Sequence, residues 1–277
     1  MSALEHGILE RDSHPHEDVH DVLWTSGWDS TFRVLDLLSQ GKVVRPWYVV
    51  AEEYPRPSTK TELETMRKIR MELAERDPAV REQLLPLHVV KESDLPKRTD
   101  IDLAVRRLRK KYGTMATQYE FLASLADTVD MTLEMGLHKG GLAEVFLKGQ
   151  TEQDPETGEI TLKVDADPDM RLVFGRMAFP ISPITKREMG EIAEAKGFSD
   201  IMDQTWFCST PVLGKPCGHC SPCRTALRTG MGERVGKPTA LKRLGYNIVR
   251  WKSAHPPKTI KLELYRAAMR LRDKVGM

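Results

Sequence analysis

Apolar and polar positions along the chain change period repeatedly. Asp21-Val22-Leu23-Trp24-Thr25 is a short apolar run that predicts a buried strand. The turn Ser26-Gly27-Trp28 follows. From Asp29 to about Gln40 the apolar residues Phe32, Val34, Leu35, Leu37 and Leu38 recur at helical spacing. Val43 to Ala51 predicts a second strand, ended by Tyr54-Pro55-Arg56-Pro57. Ser58 can cap a helix to about Arg76, with Leu63, Met66, Ile69 and Leu73 on one face. Leu85 to Lys91 predicts a third strand, residues 100–111 a basic helix, and Gln118 to Met135 a helix closed by Gly136. Ala143 to Lys148 predicts a fourth strand. Loop-like sequence covers Thr151 to Met170, with a short strand at Thr161 to Val164. Thr185 to Lys196 predicts a helix stopped by Gly197.

Strands alternating with helices predict an α/β fold: a Rossmann-like, mostly parallel sheet with helices on both faces. Ligands of such sheets bind outside the carboxyl ends of the strands, so the turn after the first strand is the leading candidate site. Small residues there let a ligand approach the backbone. The amides opening the helix attract phosphate, and Thr25, Ser26, Ser30 and Thr31 add hydroxyls. The alternative is an ordinary strand–turn–helix junction. No Walker A pattern is present.

Composition narrows the class. Of the 277 residues, 40% are hydrophobic and 30% charged, enough for a buried core and against wholesale disorder. No apolar run reaches the roughly 18 residues of a membrane span, so no membrane partner is expected. The start of the chain lacks the apolar core of a secretory signal. A cytoplasmic location is expected. The net charge of +2 conceals an asymmetry: residues 234–277 carry twelve Lys or Arg against two acids. Ile260 to Val275 predicts a basic amphipathic helix there. It suits a nucleic acid, a protein acceptor or a second subunit in a homodimer, or packing on the acidic remainder of the chain. Residues 1–20, with His6, His14, His16 and His20, read as a polar tail.

All four cysteines, Cys208, Cys217, Cys220 and Cys223, fall within sixteen residues. Two-residue gaps, with Gly218 and Pro222 permitting tight turns, converge thiolates on one ion. Four thiolates close a tetrahedral zinc site with no open position, which makes the metal structural. An iron–sulfur cluster is the competing occupant.

The order of motifs resembles a family. Thr25-Ser26-Gly27-Trp28-Asp29-Ser30 resembles the S-G-G-x-D-S pyrophosphate loop of the N-type ATP pyrophosphatases, the PP-loop superfamily, with Ser26 in place of the first Gly. Downstream come Ile184-Thr185-Lys186-Arg187-Glu188, then Gln204-Thr205-Trp206-Phe207-Cys208, then Cys217-Gly218-His219-Cys220-Ser221-Pro222-Cys223 with Arg224 directly behind. This run is similar to the C-terminal half of 7-cyano-7-deazaguanine synthase, the nitrile-forming enzyme of queuosine precursor synthesis. Gly149-Gln150-Thr151-Glu152-Gln153-Asp154 resembles that family's G-V-N-x-x-D segment after the fourth strand. The family's Y-G-Q-R-H, Arg-Asn and G-Y-P-D-C-R segments are replaced, so the likeness is to a divergent member with an altered substrate side.

The resemblance implies an adenine nucleotide alpha hydrolase-like domain over residues 21–204 and a zinc region over 205–233; the basic extension over 234–277 lies beyond the family's motifs, and residues 1–20 read as a tail. It implies an ATP-dependent ligase that adenylates a small carboxylate such as 7-carboxy-7-deazaguanine, releases pyrophosphate, and uses ammonia to form an amide and then a nitrile with release of AMP. Thr25, Ser26, Gly27, Trp28, Asp29, Ser30 and Thr31 would hold the pyrophosphate. Lys186 would supply charge beside it, Asp29 would act in catalysis, and Mg²⁺ would accompany ATP. Asp29 equally suits a helix N-cap, and Lys186 a solvated helix start. Gln118, Gln150, Asp154 and Trp206 are the implied substrate contacts; Trp206 also suits packing beside the metal. Three alternatives remain: acyl transfer to an amine of a protein or another acceptor, tRNA thiolation, and a non-enzymatic zinc-stabilised nucleic-acid-binding protein.

Overall fold

The computed structural model describes residues 19–53, 55–113, 115–116, 118–228 and 231–254. The polar tail up to residue 18, Tyr54, Thr117 and the basic helix expected at Ile260 to Val275 lie outside the described residues.

The elements are β1 (Val19–Leu23), α1 (Trp28–Ser39), β2 (Val43–Val50), α2 (Thr59–Arg76), α3 (Val80–Gln83), β3 (His88–Lys91), a 3₁₀ turn at Glu92–Asp94, α4 (Thr99–Tyr112), α5 (Gln118–Val129), β4 (Leu133–Glu134), α6 (Glu144–Leu147), β5 (Thr151–Gln153), β6 (Ile160–Leu162), α7 (Pro168–Phe174), β7 (Met177–Ala178), α8 (Lys186–Ala195), α9 (Ser199–Asp203), α10 (Ser221–Arg228), α11 (Gly232–Val235) and α12 (Ala240–Ala254). Five strands form one sheet in the order β3-β2-β1-β4-β7, and every pairing in it is parallel. A separate antiparallel hairpin joins β5 to β6. The α/β fold with a parallel sheet is therefore present.

Alternation along the strands divides the core between the two faces of the sheet. Val22, Val44 and Tyr48 belong to one cluster with Phe32, Leu35, Met66, Ile69 and Met189. Leu23, Trp47, Val49, Val90 and Leu133 belong to another with Leu108, Leu125, Phe146 and Phe174. Each buried aliphatic or aromatic side chain contributes about 1.5–3 kcal/mol, so both faces must be covered by helices for such strands to persist.

Four expectations need correction. The helix that begins at Gln118 ends at Val129, because Asp130 takes φ +53°, and the chain then enters β4. The fourth strand is thus Leu133–Glu134, not Ala143 to Lys148, where a single helical turn forms instead. The polar stretch after Thr151 holds the hairpin and α7, whose N-cap Asp167 accepts from the Asp169 amide. His20, expected in the tail, lies in β1.

By contacts the chain divides into two compact units. One runs to Glu52 and from Glu62 to Trp206; the other comprises Glu53–Thr61 and the chain from Phe207 onward. In the second unit the four cysteines, Ala226 and Val235 are buried, whereas Leu241, Leu244, Ile248 and Trp251 on α12 are exposed. No helix among the described residues is long and apolar enough to cross a membrane.

Candidate nucleotide and metal sites

The strand order reverses direction between β1 and β4, one to each side of the first crossover. In parallel sheets the crevice at that point, outside the carboxyl ends, is where ligands bind. Here it is framed by the turn after β1 and the segment after β4. The two approach so closely that a Cβ on Gly136 would lie 2.9 Å from the Ser30 amide nitrogen and 3.1 Å from its Cα. Only glycine fits there.

The turn after β1 is held by its own hydroxyls. Ser30 Oγ accepts from the Thr25 amide at 3.2 Å, meets Thr25 Oγ1 at 3.3 Å and donates to the Gly27 carbonyl at 3.4 Å. Thr31 Oγ1 is taken by Trp24 Nε1 at 2.9 Å and is fully buried, so Thr31 serves packing. The helix begins one residue earlier than expected. Its N-cap is Gly27, in extended conformation, and no side chain caps it. Asp29 sits in the first turn and is not the cap. The amides of that turn therefore keep their donor capacity.

Ser26 sits in a backbone conformation that favours glycine. Its φ is +56°, in the left-handed region, and its side chain is fully buried with no hydrogen-bond partner for Oγ. Its carbonyl accepts from the Trp206 amide at 2.8 Å, which ties the end of the first unit to the loop. Trp28 Nε1 is also buried without a hydrogen-bond partner.

Lys186 opens α8 behind a capping box. Thr185 Oγ1 accepts from the Glu188 amide at 3.2 Å, and Glu188 Oε2 accepts from the Thr185 amide at 2.7 Å. Donation from the Thr185 hydroxyl at 2.6 Å, and then from its amide, holds the Glu188 carboxyl below its usual value. So fixed, Lys186 Nζ lies 3.2 Å from Asp29 Oδ1, an ion pair at an angle outside hydrogen-bond geometry.

His138 is a functional candidate that the sequence reading missed. It follows β4, and its Nε2 is 3.9 Å from Asp29 Oδ2. It also lines a cavity of about 300 Å³ with Leu137, Glu144, Lys148, Glu152 and Ser182. The signal available was a glycine-rich polar stretch, Gly136-Leu137-His138-Lys139-Gly140-Gly141, after a strand too short to recognise.

Below the crevice, Glu134 on β4 receives Arg33 Nε at 2.5 Å and His20 Nδ1 at 2.7 Å. Burial alone would raise this carboxyl, but the two partners outweigh it and hold it below its usual value.

The other expected residues lie differently. Gln150 and Asp154 do not follow the fourth strand. Gln150 Oε1 accepts from the Asp167 amide at 3.0 Å, and Asp154 Oδ1 accepts from the Glu156 and Thr157 amides at 2.9 and 2.8 Å, closing the hairpin turn. These amides, Thr157 foremost, lower the Asp154 carboxyl. Both side chains are thus committed to local structure. Gln118 is the first residue of α5.

In the second unit the four Sγ atoms lie within 4.8 Å of one another, all buried. Cys217 and Cys223 are 3.9 Å apart, and Cys208 and Cys220 3.8 Å. A disulfide would place sulfurs at about 2.05 Å. Ligands at about 2.3 Å around one tetrahedral ion sit about 3.8 Å apart, which matches these edges. Amides of Cys217, His219 and Cys220 donate to Cys208 and Cys217 Sγ at 3.2–3.3 Å, supporting thiolate charge. The thiols pull against one another: contact with Cys220 pushes Cys208 up, while contact with Cys208 pulls Cys220 down. One divalent cation resolves that conflict by stabilising all four thiolates, so this cluster can hold zinc.

No protein-family model matches the chain, and no curated protein sequence does. Solved structures similar to it include a 4-thiouridine synthetase in complex with RNA and bound ATP, at 14% identity and a TM-score of 0.37. The match covers 83% of this chain and 53% of that one, so the chain spans about half the neighbour's length. The fold description rests on the strand order given above, not on this likeness.

Proposed function

We propose that the chain is an ATP-dependent, AMP-forming enzyme of the PP-loop type that adenylates a carboxylate, with 7-carboxy-7-deazaguanine or a related acid as substrate and ammonia as acceptor. The observation that carries this reading is the uncapped start of α1 at the reversal of strand order, with Lys186 3.2 Å from Asp29 beside it.

In this reading the phosphates of ATP lie on the first-turn amides of α1, where helix dipole and free donors favour negative charge. A carboxylate oxygen attacks the α-phosphorus, the bond to the bridging oxygen breaks, and pyrophosphate departs with the electron pair. Lys186 is 45% exposed at its side chain, free to turn from Asp29 towards that developing charge. Mg²⁺ arriving with ATP would neutralise phosphate oxygens, with Asp29 the carboxylate nearest the loop. Zinc on Cys208, Cys217, Cys220 and Cys223 would be structural, since four thiolates leave no open position.

The test is incubation with ATP, Mg²⁺, ammonium and 7-carboxy-7-deazaguanine, followed by mass spectrometry. AMP with an amide or nitrile is expected. No carboxylate-dependent AMP or pyrophosphate from this acid or from a panel of related acids would reject the reading.

A further inference from the structure

We infer that His138 is the general base for the incoming amine, and that the cavity it lines holds the acid being activated. This rests on the adenylation reading above and adds the second half-reaction to it.

Position comes first. The cavity lies beyond the carboxyl end of β4, the end of the sheet that also carries the turn after β1, and Leu137, Leu147, Ile160 and Pro183 give it apolar wall. Pockets of this size accept small planar ligands with a few polar contacts. His138 is the residue shared by the cavity and the loop: it lines the first and lies 3.9 Å from Asp29 of the second. An acyl group joined to AMP must span that same junction.

Tautomer comes next. His138 Nδ1 is 2.7 Å from the Lys139 carbonyl oxygen. A carbonyl only accepts, so Nδ1 carries the proton and Nε2 presents its lone pair. This is a base with an orienting partner. Glycine at 141 leaves room for the ring: a Cβ there would lie 3.0 Å from the His138 carbonyl oxygen and 3.3 Å from both Cε1 and Nε2.

In the step, the amine nitrogen attacks the acyl carbon of the adenylate and the C–N bond forms. Its proton passes to His138 Nε2. The bond from the acyl carbon to the phosphate oxygen breaks, and AMP leaves with the electron pair. The Asp29 carboxylate stabilises the imidazolium until it returns the proton to water.

The charged and titratable groups around His138 are Asp29 on α1, Lys186 on α8, the neighbouring Lys139, and Glu144, Lys148 and Glu152 along the cavity.

The experiment compares native enzyme, His138→Gln, His138→Ala and Gly141→Ala with ATP, Mg²⁺ and 7-carboxy-7-deazaguanine, using ammonium or hydroxylamine as nucleophile. Hydroxylamine is neutral at pH 7 and strongly nucleophilic, so it reports adenylate formation with little need of a base. For His138→Gln, amide formation should fall about 10²–10⁴-fold while hydroxamate falls far less. The native acid limb of amide formation should flatten, and added imidazole should restore His138→Ala. Gly141→Ala keeps the imidazole and crowds it, so its amide rate should drop with hydroxamate retained, which covers the case of a misfolded His138 variant. Equal loss of both products, or loss of neither, would overturn the base role. Native enzyme yielding neither product with this acid or with the panel of related acids overturns the adenylation reading, and this proposal with it.

Discussion

Lys186 Nζ rests 3.2 Å from Asp29 Oδ1, joining the first turn of α8 to the first turn of α1. The pair places one cation at the mouth of an uncapped helix start. Because Lys186 is half exposed, it adds little to stability. Lys186→Ala should therefore leave the thermal midpoint nearly unchanged and lower AMP formation by about 10²–10³-fold, the usual loss for one charge-stabilising donor. AMP release at the native rate would remove Lys186 from the phosphate site.

Gly136→Ala acts on backbone. The added methyl meets Ser30 N at 2.9 Å and Cα at 3.1 Å, and neither can swing away. A cost of about 1–3 kcal/mol is expected in urea unfolding, together with weaker nucleotide binding by calorimetry. Native stability in this variant would show that the two strand ends are not in contact.

Ser26→Gly should stabilise. It relieves φ +56° and removes a buried hydroxyl without a hydrogen-bond partner, against the smaller entropic cost of glycine. The net gain expected is about 1 kcal/mol. A fall in both stability and ATP affinity would mean that the hydroxyl contacts ligand.

The Glu134 carboxyl is held below its ordinary 4.5 in the fold. A depressed carboxylate contributes stability that is fully present above the unfolded value and is lost as pH falls through the folded one. Glu134→Gln should flatten stability against pH below about 4.5. At pH 7 it should cost about 1.5–3 kcal/mol, since Arg33 loses a charged acceptor but keeps Asp36 at 3.5 Å. Parallel pH curves for the two proteins would refute this.

Chelation is the fourth lever on stability. Zinc bound per chain should be one by elemental analysis and absent in Cys208→Ser. Hydrogen exchange should rise in the segment from Phe207 to Val235 in that variant, because few apolar side chains are buried there. Iron with sulfide in the purified protein would replace zinc as the assignment.

The sequence announces some of these features and conceals others for physical reasons. The first strand, its turn and α1 were readable because a short apolar run gives way to an amphipathic helix across a small-residue turn. The cysteines were readable because their convergence is local. β4 was hidden: it is two residues long, follows α5 with no proline or glycine between, and is set apart only by a left-handed Asp130. Val145, Phe146 and Leu147 look like a strand because four residues show no helical period. Missing β4 moved the expected substrate contacts to Gln150 and Asp154, whose side chains bond the N-cap of α7 and the hairpin turn, and left His138 unnoticed. Ser26 shows the converse: a departure visible in sequence whose cost appears only from its backbone angle.

The sheet is thin at its centre. β1 and β2 run side by side over five residue pairs, whereas β1 meets β4 in a single registered pair, Val22 with Glu134. The seam between those strands is also where the turn after β1 and the Gly136 segment converge. A nucleotide seated there would grip both banks of the seam, acting as a rivet across the join with the fewest registered pairs. Ligand and scaffold would then share one cooperative unit, and slow exchange of the β4 amides would become a direct gauge of occupancy.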